Sequence, residues 1–257
     1  MKATLFLVPM MLTSALAVAQ TPLTASDPDL VTLTTPLVLD KGAGLGSVEF
    51  RGFGGDDGLF RTGVAAGYGL GDGWEIRLAG DFAKVAYDST GSIRYGGSDG
   101  EFLVKYGIPG MAAASIEAGE SYSNTPAQPG RLSTVLGVSV GTAATKGVRL
   151  YANPKVVFLD RNSLLGLGLG AAIDLAPGVT LVGDWTPILS GENTLNASTA
   201  ARERVQIYGV ALRFAKVTPG LGLDLGYTNS TGQTTGFALT PGLGNSGAFY
   251  VRLTSRF

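Results

Sequence analysis

Charged side chains in this sequence recur at every second position within otherwise apolar segments. Glu75, Arg77 and Asp81 share one face of the segment Trp74 to Phe82, and Arg149 and Lys155 share one face of Val148 to Phe158. Paired carboxylates can do acid–base work only when both reach one reacting group. On an extended strand Glu75 and Asp81 lie about 20 Å apart at roughly 3.3 Å per residue, so they do not form a catalytic pair. The sequence contains no His and no Cys. Their absence removes the commonest general base, thiolate nucleophiles, disulfides and thiolate metal sites. Gly166-Leu167-Gly168-Leu169-Gly170 is not a dinucleotide loop either, because it lacks the final x-x-Gly and lies inside an alternating segment. No catalytic residue, cofactor or metal is expected, and the charges need another explanation.

That explanation lies in the elements carrying them. Strict alternation puts every second side chain on one face of a sheet. Trp74, Ile76, Leu78, Gly80 and Phe82 oppose Glu75, Arg77, Ala79 and Asp81; Val148, Leu150, Ala152, Val156 and Phe158 oppose Arg149, Tyr151, Asn153 and Lys155. Leu221, Leu223, Leu225 and Tyr227 oppose Asp224 in the same way. The pattern predicts about twelve strands, near 44–54, 59–70, 74–84, 97–107, 111–121, 131–142, 148–158, 164–175, 179–188, 203–214, 221–229 and 247–257, with ten or fourteen as alternatives. The inward face of 203–214 is ambiguous. Short turns such as Gly71-Asp72-Gly73 and Ala176-Pro177-Gly178 alternate with mostly longer polar connections at 84–97, 122–130, 189–202 and 229–245; those at 54–58 and 159–163 are short as well. This asymmetry favours an all-β transmembrane antiparallel up-and-down barrel over a soluble sandwich.

In such a barrel the apolar faces meet lipid, because Lys or Arg at the bilayer midplane costs roughly 2–4 kcal/mol. The charged faces then line the interior. The expected lining is Glu49, Arg51, Arg61, Glu75, Arg77, Asp81, Glu101, Lys105, Glu117, Arg149, Lys155, Asp174, Asp184, Asp224 and Arg252. Two arrangements fit these residues. One is a hydrated pore whose opposed charges orient polar solutes; the other is a plugged barrel whose charges satisfy each other. The small inward residues Ser133, Gly137, Ser139, Gly166, Gly168 and Gly170 favour the pore. Trp74, Trp185, Tyr68, Tyr106, Tyr227 and Phe214 fall near strand ends, where interfacial aromatic girdles lie.

The termini agree with export. Lys2, the apolar run Leu5 to Leu16 and Ala17-Val18-Ala19 read as a signal peptide over 1–19 cleaved near Ala19. Residues 20–43 carry Pro22, Pro28 and Pro36 and read as a periplasmic leader or lumen segment, leaving 44–257 as the barrel. Phe249, Val251, Leu253 and the terminal Phe257 share one face of the last strand. This resembles the assembly signal of bacterial outer-membrane proteins, although Ser255 departs from it, and it implies the barrel-assembly machinery as a partner. The phrases TTPLVLDKGAG, YGLGDGWEIRLAG and VKYGI resemble a family of bacterial outer-membrane channels named for the MetA pathway of phenol degradation. That resemblance implies transport and names no substrate.

The expected partners are outer-membrane lipid, the assembly machinery and small solutes. A formal net charge of −1 with no basic cluster argues against nucleic acid, and the oligomeric state stays open. Passive, weakly selective passage of small polar or amphipathic solutes is the leading expectation. A closed structural or anchoring barrel, binding envelope partners through its loops, is the alternative.

Overall fold

A computed structural model describes residues 29–53, 60–84, 86–87, 93–94, 98–111, 113–125, 128–158, 163–195, 201–234, 238–239, 241 and 247–257. The signal segment, residues 20–28 and the connections at 54–58 and 159–162 lie outside the described residues. Twelve strands form the wall: β1 Gly44–Phe53, β2 Phe60–Gly71, β3 Trp74–Lys84, β4 Ser98–Gly107, β5 Ala114–Thr125, β6 Gln128–Thr145, β7 Val148–Phe158, β8 Leu164–Ala176, β9 Val179–Thr186, β10 Ile207–Thr218, β11 Leu221–Thr228 and β12 Ala248–Arg256. After Pro187 a short piece, Ile188–Ser190, continues β9 along β8.

Each strand pairs antiparallel with its neighbours in sequence, and β12 pairs with β1 to close the ring. Closure leaves no unpaired edge, which matters because an open edge in lipid strands polar backbone groups. The seam is completed where Gly44 and Phe257 exchange main-chain hydrogen bonds of 2.6 and 3.1 Å. Alternation then sorts the side chains. Phe50, Leu78, Phe102, Leu136, Leu150, Leu225 and Val251 are exposed on the outer wall, whereas Glu49, Glu75, Glu101, Lys105 and Asp224 are buried inside.

The two-residue turns after β2, β6, β8 and β10 share one rim. Between β2 and β3, Asp72 and Gly73 have φ of 52° and 79°, the positive values that a two-residue type I′ hairpin requires. Trp74 packs against Tyr106 at this rim, with ring centroids 4.4 Å apart and the planes tilted by 35°. At the other rim Tyr227 packs edge-on against Phe249 at 5.2 Å.

Two sequence expectations shift. The strand ladder extends into the connection expected over 122–130, because β5 runs to Thr125, which pairs with Gln128 in β6. Ser123, Asn124 and Thr125 continue the ladder without an apolar face, so alternation could not reveal them. The strand expected at 203–214 is displaced to Ile207–Thr218, because Arg202–Glu203 pairs instead with Thr194–Leu195.

Candidate functional site

The interior is built from the inward positions of the ring and from two inserted segments. Glu49, Arg51, Glu75, Asp81, Glu101, Lys105, Glu117, Arg149, Lys155, Asp184, Asp224 and Arg252 are buried, and Arg61 and Arg77 are partly buried. Asp174 sits at the short-turn rim with its side chain 42% exposed and chelates Arg149 through two hydrogen bonds of 2.7 and 2.8 Å. Sequence reasoning did not list Asp99, Arg213 or Asp29. Extending the outward set Val210 and Leu212 by one residue turns Arg213 inward, which is the signal that could have found it.

The first inserted segment is the chain before β1. Asp29 bridges Thr34, and the Leu30 N–H donates to the Leu33 carbonyl at 3.0 Å, making a tight hairpin with Val31 and Thr32 at its tip. Asp184 of β9 holds this tip. Its Oδ2 accepts from the Val31 and Thr32 N–H groups at 2.7 and 2.8 Å, and its Oδ1 accepts from Thr32 Oγ1 at 2.7 Å. Basic side chains hold the carbonyls: Arg252 donates to Leu30 O at 2.8 Å, Arg213 to Asp29 O, and Lys105 to Thr35 O and Leu37 O. Nearer the rim, the Leu39 N–H donates to Glu75 Oε2 at 2.8 Å. Arg77 forms an ion pair with Asp29 at 2.9 Å and a second with Glu75. Burial pushes the Asp29 carboxyl up, but Arg77, aided by Lys105 and Arg252, outweighs burial and holds it below the usual aspartate range.

The glycines of the wall explain how the hairpin fits. A Cβ on Gly168 would lie 2.3 Å from Leu33 Cδ2, one on Gly170 2.2 Å from Leu30 Cδ1, and one on Gly209 2.4 Å from Val31 Cγ1. Leu30, Val31 and Leu33 join Tyr151, Ala172, Val182, Ala211 and Tyr250 in one buried cluster. The small inward residues that favoured an open pore in the sequence therefore include the seat of a filling segment.

The second segment is the connection after β11. Asp81 Oδ2 accepts from the Gln233 and Thr234 N–H groups at 2.8 and 3.1 Å, and Thr234 Oγ1 donates to Asp99 at 3.0 Å. Arg51 donates to Ser230 O at 2.8 Å and Arg61 to Thr231 O at 3.0 Å. Leu239 packs with Leu103, Val135, Val157, Leu164 and Ile188. A cavity of about 80 Å³ lies between the two segments, lined in part by Asp29, Thr32, Arg77, Lys155, Gln233 and Arg252. That is room for a few waters.

Wall charges also pair with one another. Arg213, Asp224 and Arg252 form a ladder across β10, β11 and β12, with Asp224 at 2.9 and 2.6 Å from the two guanidinium groups. Arg252 continues it to Glu49 at 4.0 Å, and Glu49 pairs with Arg51. Lys155 lies 3.4 Å from Glu117. Among the described residues, Asp99 Oδ1, Glu117 Oε2, Ser121 Oγ, Asn153 Oδ1 and Thr186 Oγ1 are buried without a hydrogen-bond partner in the protein, as suits a hydrated interior.

The fold of this barrel recurs in solved structures. The NanC porin superposes with a TM-score of 0.56 at 13% identity, over 82% of this chain and 98% of its own. The fold is that of an outer-membrane β-barrel. An outer membrane channel from Pseudomonas putida F1 gives 0.56 at 13% identity over 86% of this chain and 97% of its own. The KdgM porin, in complex with disordered oligogalacturonate, gives 0.52 at 11% identity over 82% and 99%. No family model and no curated protein matches the sequence, so the resemblance to the phenol-degradation channels gains no support of that kind.

Proposed function

We propose that the protein is a bacterial outer-membrane channel for small polar or amphipathic solutes, closed at rest by its own pre-barrel hairpin and the connection after β11. One observation carries this reading: Asp184, Arg252, Asp81 and Arg51 of the wall bond main-chain N–H and C=O groups of two segments outside the strand ladder, and water can replace those groups if the segments withdraw. A permanent filling would more economically be apolar. The segment's buried apolar anchors are Leu30, Val31 and Leu33, each worth roughly 1.5–3 kcal/mol, with partly buried Leu37 packed against the same cluster. Fixing its backbone opposes docking by about 1–2 kcal/mol per residue, so modest changes tip the balance.

In this reading the short-turn rim faces the periplasm, lipid covers the outer wall, and export follows cleavage near Ala19. The assembly machinery reads Phe249, Val251, Leu253 and Phe257. Kinship to the phenol-degradation channels rests on the sequence phrases alone. With the hairpin withdrawn, opposed wall charges leave passage passive and weakly selective. The alternative, a permanently closed anchoring barrel, is favoured by the number of wall charges already bonded to the two segments. Planar-bilayer recording separates the two. Discrete conductance steps from correctly inserted protein support the channel, and silence from both the native protein and a variant unable to seat the hairpin supports the anchor.

A further inference from the structure

We infer that the seat of the hairpin is a peptide-binding site, that the hairpin occupies it as an internal stand-in for ligand, and that the solutes displacing it are short peptides with branched aliphatic side chains. The inference deepens the channel reading and depends on it only for passage, not for binding.

The wall reads the hairpin mainly as a peptide backbone. Three N–H groups, of Val31, Thr32 and Leu39, donate to Asp184 and Glu75. Five carbonyls, of Asp29, Leu30, Thr34, Thr35 and Leu37, accept from Arg213, Arg252, Ser139 and Lys105. Consecutive N–H groups converging on one buried carboxylate, with guanidinium groups on the flanking carbonyls, match the alternating donors and acceptors of any peptide. Main-chain contacts give affinity without fixing sequence, and pockets for side chains supply the preference.

Those pockets are present. Gly168 and Gly170 on β8 and Gly209 on β10 flank Asp184 on β9, and each leaves space that an aliphatic side chain of the hairpin fills. Thr34 adds one side-chain contact, accepting from Lys155 at 3.0 Å and donating to Glu117 at 3.2 Å. A ligand with peptide N–H and C=O groups and two or three Leu or Val side chains meets the main-chain partners of the tip, Asp184, Arg213 and Arg252, and the three glycine pockets. An oligosaccharide would leave the glycine pockets unfilled and offers no run of N–H donors for Asp184.

The native chain has no Cys, so one introduced thiol reports on the seat without background. Full-length Leu30→Cys protein, shown by heat-modifiable migration to be folded in detergent, is labelled with a maleimide. Adding the end-blocked tetrapeptide Leu-Val-Thr-Leu at millimolar concentration should speed labelling at least tenfold. An unrelated Val- and Leu-containing tetrapeptide should act within a few-fold of it, and the mirror-image peptide or a neutral oligosaccharide should not act. If Leu30→Cys already labels as fast as unfolded protein, Leu33→Cys gives the same readout. No acceleration by either L-peptide, or equal acceleration by the sugar, overturns the inference. Acceleration by the self-sequence alone also overturns it, leaving a private dock for the hairpin. Conductance without any peptide effect keeps the channel and removes the peptide site; a peptide effect in a protein that never conducts does the reverse.

Discussion

Replacing Asp184 by Asn should free the hairpin while leaving the barrel closed as a ring. The native carboxylate is 7% exposed and accepts three hydrogen bonds from the hairpin tip. Hydrogen bonds to a charged group contribute about 1.5–3 kcal/mol each against about 0.5–1.5 for neutral ones, and an amide of the same size keeps one neutral oxygen for the two N–H groups while its NH2 turns to the Thr32 hydroxyl. The three contacts are thus kept without the charge that strengthens them, at a net cost of about 2–4 kcal/mol to the docked state. At about 1.4 kcal/mol per tenfold, the population with the hairpin released rises roughly thirty- to several-hundred-fold. Amide hydrogen exchange reads that change directly, because Val31 and Thr32 exchange through undocking. Their exchange should accelerate by this factor while the ladders of β8, β9 and β10 keep their protection. Unchanged exchange at Val31 and Thr32 would refute the reasoning, and so would an equal loss of protection throughout those three strands.

Other expectations follow from the same contacts. Asp29 is held below its ordinary pKa by Arg77 once docked, so its contribution is present above the free value of about 3.9 and disappears as pH falls through the docked value. The protection factor at the hairpin, which is exchange corrected for its intrinsic pH dependence, should therefore show an acid-side loss below about pH 4 in native protein that Asp29→Asn reduces. Arg149→Glu replaces the partner of Asp174 at the short-turn rim with a second carboxylate, and the reversal potential of the conducting protein in a salt gradient should move towards cations. An unchanged potential there would remove Arg149 from the solute path. Asp81→Ala leaves the Gln233 and Thr234 N–H groups without their acceptor, at about 2–4 kcal/mol, and limited proteolysis after β11 should quicken without cleavage within the wall.

The sequence disclosed the wall better than its contents. Strand faces follow a period of two within a few residues, so Glu75 against Ile76, or Asp224 against Leu225, could be assigned from neighbours alone. The same locality hid the closure. Val31 meets Asp184 across 153 positions and Arg252 meets Leu30 across 222, and no pattern around either partner announces the other. Gly168 and Gly170 were visible as small inward residues, yet a missing side chain is equally consistent with open space and with a seat for Leu33 and Leu30. Arg213 was obscured because the segment before Ile207 lacks an apolar face, whereas Asp29, placed before the barrel, lay outside any alternating run.

The most direct test of a solute path closed from within is single-channel recording of the native protein beside a Gly168→Leu, Gly170→Leu double variant. Added bulk on β8 occupies the space of Leu33 and Leu30 and so excludes the hairpin. Brief, infrequent openings from the native protein and long-lived openings of similar unit conductance from the variant are the predicted result. Equal open times in the two proteins, with both shown to be folded and inserted, would contradict it.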